Sequence, residues 1–360
     1  MSVERVGLVG LPNSGKSSLF NALTGANVPV APHPFTTTET SVGVAHVADH
    51  RLRALAAMSA SRKVVEAAVE VVDIAGLVAG AGSGEGLGNR FLAGIREVDA
   101  LMFVLRSFAD DSVPGEDDPL AALGVLELEL VLADLASLEG QLTRQQKAAR
   151  SNPALAGASR AMEMAQDVLS SGVPLYRSTL SGEVRASLAS LFLLTNKPFF
   201  CVVNLAEEEV TRADDVLGPV VAELGGHATV LGVSVELEAE ARELEPDERE
   251  ELLAGLGLGE GVLPRVARAL FDAIGRWTFL TTGEKESRAW TFRRGAKAPE
   301  CAGVIHSDLQ RGFIRAEVIR WDELVEIGSW SAARAAGRLR LEGKDYEVQD
   351  GDTLEIRFNV

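Results

Sequence analysis

Ten residues near the start of the chain, Gly10-Leu11-Pro12-Asn13-Ser14-Gly15-Lys16-Ser17-Ser18-Leu19, have the types and spacing to hold phosphate. The pattern is G-x-x-x-x-G-K-S, placed between an apolar run, Val6-Gly7-Leu8-Val9, and a helix-like stretch from Phe20 to Thr24. Gly10 and Gly15 let the backbone wrap inward, so that successive N–H groups point at phosphate oxygens. The helix that follows adds the positive end of its dipole. Lys16 would reach the β- and γ-phosphates, and the Ser17 hydroxyl would ligate Mg²⁺. A Gly-rich turn matching by chance would not also carry the flanking strand and helix, so the stretch reads as a nucleoside triphosphate site.

Four later stretches carry matching chemistry. Pro32-His33-Pro34-Phe35-Thr36-Thr37-Thr38-Glu39 is too rich in Pro and Thr for a helix interior and stands where a γ-phosphate-sensing loop would lie. Thr37 is the expected Mg²⁺-binding hydroxyl of the three neighbours. Val69 to Gly76 is an apolar strand ending in D-x-x-G, in which Asp73 would hold the metal through water and the Gly76 N–H would contact the γ-phosphate. The glycine-rich stretch Gly80–Asn89 then reads as a second, mobile switch. Many regulatory GTPases place a water-orienting Gln just after D-x-x-G. Here that position is Leu77, so the water must be positioned from elsewhere and unassisted turnover should be slow. The fourth stretch, Asn204-Leu205-Ala206-Glu207, ends an apolar strand where GTPases carry N-K-x-D. Without that Asp, guanine preference is in doubt. Asn204 and the Leu205 backbone would instead serve the adenine amino group and ring nitrogen, and Ser234 falls in a last base-contacting loop.

Alternating strands and helices must position these residues. Residues 99–108 form another buried strand, and 109–119 a loop. From Leu120 to about Leu194 the pattern is helical, with Leu128, Val131, Leu132 and Leu135 expected on one face, continued by Leu138 and Leu142. Asn152-Pro153 breaks it, and a second helix is expected over about 158–169, giving an antiparallel helical hairpin with Arg144, Lys147 and Arg150 near its tip. Short strands at 289–292, 313–319 and 354–358 and a helix at 298–305 define a small mixed C-terminal domain. Its Arg288, Arg293, Arg294, Lys297, Arg311, Arg315 and Arg320 suit an RNA-facing patch or scattered solvated charges equally well.

The chain has 360 residues, 46% apolar and 24% charged, as in ordinary soluble proteins with two or three domains. Its two cysteines fit neither a disulfide framework nor a metal site and suit a reducing cytoplasm, with Cys201 read as a buried thiol. No stretch reads as a membrane span. The net charge of −17 argues against indiscriminate nucleic-acid binding, and no DNA specificity is expected. From Thr278 onward the chain holds 13 basic and 14 acidic residues, so the acidity lies before it, densest from Glu236 to Glu251 and read there as a solvated face.

Together the motifs resemble the YchF/Obg-like ATPase family, an Obg-related branch of translation-factor-class P-loop proteins. G-L-P-N-x-G-K-S at 10–17, P-F-x-T at 34–37, D-I-A-G-L-V at 73–78, G-E-G-L-G-N at 84–89, N-L-x-E at 204–207 and most of 282–360 carry the resemblance. It implies an α/β P-loop NTPase G domain with a mainly parallel sheet over 1–277, interrupted by the helical insertion 119–196, and a β-grasp TGS domain over 278–360. It further implies a slow, Mg²⁺-dependent ATPase associated with the ribosome or its large subunit, acting as a switch in translation or stress response. RNA contact through the TGS domain and the insertion is expected. By position, nucleotide contacts fall on Asn13, Ser14, Gly15, Lys16, Ser17, Ser18 and Leu205, and Mg²⁺ on Ser17 and Thr37. Asn204, Glu207 and Ser234 remain base-site candidates. The sequence departs from the family at Glu39-Thr40-Ser41, where E-P-N is usual, at Thr36, where a Cys is frequent, and in the 109–119 loop, which lacks the frequent His. Two other readings stay open: a GTP-specific ribosome-assembly GTPase in which Glu207 still meets guanine, and an RNA- or ribosome-binding module with little turnover.

Overall fold

The computed structural model describes residues 4–28, 40–74, 94–108, 115–255, 261 and 263–359. The first sheet contains β1 (Arg5–Val9), β2 (Ser41–Val47), β4 (Ala67–Asp73), β5 (Ala100–Arg106), β6 (Phe199–Asn204) and β7 (Val230–Val233), in the order β2-β4-β1-β5-β6-β7. The pairs β1–β4, β1–β5, β5–β6 and β6–β7 are all parallel. Every residue of β5 and β6 is buried, which explains why both read as unbroken apolar runs rather than alternating ones. The register aligns Leu8 with Asp73 and Arg106 with Asn204, and Asn204 in turn with Val233. The carboxyl ends of five strands therefore share one edge, where ligands of open parallel sheets bind.

The loop between β5 and β6 carries a long helix, Pro119–Ser151, started by Asp118, whose Oδ1 accepts the Leu120 N–H at 2.8 Å. Asn152 ends it, and a second helix, Ala156–Ser170, returns against it, slightly longer than the expected 158–169. The first half of the long helix buries Ala122, Leu123, Leu126 and Leu130 against the sheet. The second half buries Val131, Leu138 and Leu142 with Ala161, Met162, Ala165 and Leu169 of the returning helix. Leu128 and Leu132, expected on the packed face, are 53% and 46% exposed. The helix must serve two cores in succession, so its buried stripe does not follow the simple face drawn from the sequence. Asp134, 1% exposed, closes the base of the insertion by accepting the N–H groups of Leu194 and Thr195 and the Thr195 hydroxyl at 2.7–2.8 Å.

The second sheet has the order β11-β10-β12-β8-β9-β3, with β3 (Val64–Val65), β8 (Arg276–Thr281), β9 (Ser287–Arg293), β10 (Phe313–Arg320), β11 (Arg340–Glu342) and β12 (Asp352–Phe358). The expected helix lies at Ala298–Ile305 and covers a core of Phe279, Phe292, Cys301, Phe313, Val318 and Leu354. The expected domain line at 277/278 differs from the compact unit observed, which joins Ala45–Val69 to Phe271–Val360; the other unit is Glu4–Val44 with Glu70–Leu270. The reason is local. Strand β3 pairs in parallel with β9, and α2 (His50–Met58) sends Arg51 to Asp350, with N–O 2.5 Å, and to the Thr278 hydroxyl at 2.8 Å.

Two smaller expectations resolve. Cys201 is fully buried, and burial pushes its thiol pKa far up. The acidic run from Glu236 is helical but not wholly solvated, because Glu238 is 1% exposed. No described helix is long and apolar enough to cross a membrane.

Candidate functional site

The phosphate-binding stretch connects β1 to the helix α1 (Lys16–Thr24). Gly15 stands at the head of α1 with φ +90°, a left-handed conformation that L side chains rarely adopt. A Cβ there would also approach Asn204 Nδ2 to 2.3 Å. A Cβ on Gly10 would come within 2.4 Å of the Val104 carbonyl oxygen, so both glycines are required by close approach. Asn13 adopts φ 61°, which Asn tolerates better than most residues.

Lys16 is 7% exposed, and its Nζ donates to the carbonyls of Gly10 and Leu11 at 3.0 and 2.8 Å. The side chain is thus folded back along the loop with its charge inside. Burial lowers its pKa to about 8, against the opposing pull of the Asp73 carboxylate. Ser17 donates its hydroxyl to Asp73 Oδ2 at 2.6 Å. Asp73 is fully buried, and burial raises its pKa, while the Ser17 hydrogen bond and the Lys16 charge oppose the rise.

Three buried polar atoms at this edge of the sheet have no hydrogen-bond partner among the described residues: Ser14 Oγ, Asp73 Oδ1 and Ser234 Oγ. Buried polar atoms are nearly always paired, and leaving one unpaired costs about 1–3 kcal/mol. Their concentration here fits groups kept for a ligand. The residues also fit Mg²⁺: a hydroxyl and a carboxylate lie side by side, hard oxygen donors of the kind this ion prefers. Among the described residues no group of three His, Cys, Asp or Glu could hold a metal, so an ion at Ser17 and Asp73 would take its remaining oxygens from phosphates and water. Ser18 is half-buried in the first turn of α1. Thr37, Gly76 and Leu77 lie outside the described residues, as do the stretches 32–39 and 80–89.

At the end of β6, Asn204 is held at both ends of its amide. Asn204 Nδ2 donates to the Ser14 carbonyl at 3.3 Å, and Asn204 Oδ1 accepts the Val235 N–H at 3.2 Å. With 5% exposure and both ends of its amide engaged, Asn204 ties the phosphate loop to the helix Val235–Glu243. The Leu205 N–H is also engaged, to the Val233 carbonyl at 2.9 Å. The Leu205 carbonyl has no partner among the described residues. Glu207 is exposed at the start of a 3₁₀ segment, Glu207–Arg212. Ser234, 4% exposed, precedes the helix Val235–Glu243 without capping it through its side chain.

Two residues that the sequence reading missed hold this turn. Glu209 Oε2 accepts the Ala206 N–H at 2.9 Å and the Ser107 hydroxyl at 2.7 Å. Ser107 approaches the Asn204 carbonyl with its backbone N–H at 3.1 Å and its hydroxyl at 3.0 Å. Their only signal in the sequence was placement just beyond the ends of two apolar runs.

A parallel sheet with G-x-x-x-x-G-K-S after β1, an Asp at the end of β4 and an Asn brace at the end of β6 defines a P-loop nucleoside triphosphatase of the GTPase type. Residues 5–124 match a family described as "50S ribosome-binding GTPase", and residues 277–359 match the YchF-GTPase C-terminal family, described as a protein of unknown function. The chain is 43% identical to the "Ribosome-binding ATPase YchF" of Bacillus subtilis, with 98% of this chain and 99% of that one covered. It is 41% identical to the protein of the same name from Escherichia coli O157:H7, covering 99% of both. It superposes on the structure of the Schizosaccharomyces pombe YchF GTPase with a TM-score of 0.85 at 30% identity, covering 99% and 98% of the two chains. The chain belongs to the YchF family.

Proposed function

We infer that this chain is a ribosome-binding ATPase that hydrolyses ATP slowly to ADP and phosphate with Mg²⁺ and serves as a nucleotide-controlled switch. The observation that carries the reading is the Lys16–Ser17–Asp73 cluster beside the unpaired Ser14 and Asp73 oxygens. In it, the backbone N–H groups of residues 13–18 and the head of α1 would receive the phosphates. Lys16, held near the loop carbonyls, would swing its ammonium onto the β- and γ-oxygens as charge builds there. Ser17, with Asp73 behind it and Thr37 beyond, would hold Mg²⁺, which when bound neutralises charge on the β- and γ-phosphates. Gly76 would contact the γ-phosphate. Leu77 offers nothing to orient water, in keeping with slow turnover.

For the base, the engaged Leu205 N–H leaves its carbonyl, an acceptor, to face the ligand. The adenine amino group donates to such an acceptor, whereas guanine presents an oxygen in that position. Ser234 Oγ supports the same face, and Glu207 stands at the rim. The B. subtilis and E. coli relatives are named ATPases. GTP is the second reading, favoured by the name of the S. pombe relative.

Ribosome binding in the cytoplasm rests on the named relatives and on charge. Between Glu139 and Glu163 there is no acidic residue, while Arg144, Lys147, Arg150 and Arg160 are all exposed at the end of the helical hairpin. We place RNA contact first at this tip and second on the C-terminal unit, read as a TGS domain. There Lys297, Arg311 and Arg320 are already paired with Asp345, Asp308 and Asp322. Lys16→Ala tests the site: hydrolysis should vanish and triphosphate binding weaken by orders of magnitude, and retained turnover would refute the assignment.

A further inference from the structure

We propose that Glu209 and Ser107 are positioning residues that set the base preference of the site, by fixing the peptide between Leu205 and Ala206. This rests on the reading that the Leu205 carbonyl meets the base. A trans peptide is planar, so its C=O and N–H point in opposite directions and rotate as one unit. The Leu205 C=O and the Ala206 N–H belong to the same plane. Glu209 Oε2 accepts that N–H at 2.9 Å, which aims the Leu205 carbonyl the other way.

The carboxylate is itself held. The Ser107 hydroxyl donates to the same Oε2 at 2.7 Å and lies 3.0 Å from the Asn204 carbonyl, while the Glu209 N–H closes onto the Ala206 carbonyl at 3.1 Å. The residues after β5 and after β6 are thus joined through one anionic oxygen. Hydrogen bonds to ionised acceptors are roughly twice as strong as neutral ones, so this oxygen dominates the orientation of the turn. Remove it, and the peptide is free to turn over, presenting the Ala206 N–H in place of the Leu205 carbonyl. A donor there suits the guanine oxygen and rejects the adenine amino group. Glu209 therefore selects an acceptor for adenine without touching it, while the exposed Glu207 is not required for that choice.

The test measures binding of ATP, GTP and inorganic tripolyphosphate, each with Mg²⁺, to the full chain and to Glu209→Ala, Glu209→Gln and Ser107→Ala. Glu209→Ala should lose about tenfold in ATP affinity, the loss of one charge-assisted hydrogen bond. GTP affinity should hold or rise, and tripolyphosphate, which has no base, should bind as to the unsubstituted protein. Glu209→Gln keeps an acceptor oxygen and should restore most of the ATP preference, and Ser107→Ala should fall between. An unchanged ATP-to-GTP ratio in Glu209→Ala overturns the proposal, as does a parallel loss of tripolyphosphate, which would mean general damage. If the unsubstituted protein itself fails to prefer ATP, the underlying reading of the Leu205 carbonyl falls first, whatever the variants do.

Discussion

The buried ammonium of Lys16 makes the site sensitive to alkali. Its pKa is held at about 8, below the ordinary 10.5, because burial penalises the charged form. A bound triphosphate supplies the missing counter-charge and raises that value, so above about pH 8 binding must take up a proton. Affinity for ATP should therefore fall as pH rises from 8 toward 10.5, approaching about tenfold per unit. Lys16 affects stability in the opposite sense. The unfolded chain keeps the proton longer, so this group makes the ligand-free fold more stable with rising pH over the same window. Titrations at pH 7.5, 8.5 and 9.5 check the first trend, and a flat profile would mean that Lys16 is not the phosphate partner. At this scale the tight turn after β1 was legible in the sequence, because Gly10 and Gly15 stand where close approach leaves no room for a Cβ. At Asn204 the spacing that suits a base-reading residue equally suits the brace to Ser14. Ser107 and Glu209 were invisible, since they meet only when β5 and β6 lie side by side.

Elements defined by short-range pattern were legible: the β4, β5 and β6 strands, the helix Ala298–Ile305 and the hairpin broken at Asn152. The packed face of the long helix was not, because Leu126 and Leu130 answer to the sheet while Val131 and Leu138 answer to the returning helix. Periodicity alone cannot say where one partner gives way to the next. The exposed tip of the hairpin leads to a separate expectation. Replacing Arg144, Lys147 and Arg150 together with Glu should weaken co-sedimentation with ribosomes. It should also flatten the salt dependence of binding by as much as about three phosphate contacts. ATP hydrolysis without ribosomes should not change. Undiminished, equally salt-sensitive binding would move the contact away from this tip.

For the whole molecule, the main departure from sequence order is that residues 45–69, which lie between the phosphate loop and Asp73, belong to the compact unit of the C-terminal sheet. A chain ending at residue 277 would leave β3 without β9 and Arg51 without Asp350 and Thr278. Residues 50–65 of such a fragment should then exchange their amide hydrogens far faster than in the full chain. Equal protection would show that α2 and β3 stand without the C-terminal sheet. That residues 45–69 join this unit was not legible in the sequence, because β3 has only two residues and its partner lies more than two hundred positions away. Titration of the purified full chain with ATP and with GTP, side by side, with Mg²⁺ at pH 7.5, reads out which base the site holds. Clearly tighter ATP binding is the result expected from the proposed contact between the Leu205 carbonyl and the base. Tighter GTP binding would contradict it and make the chain a GTPase.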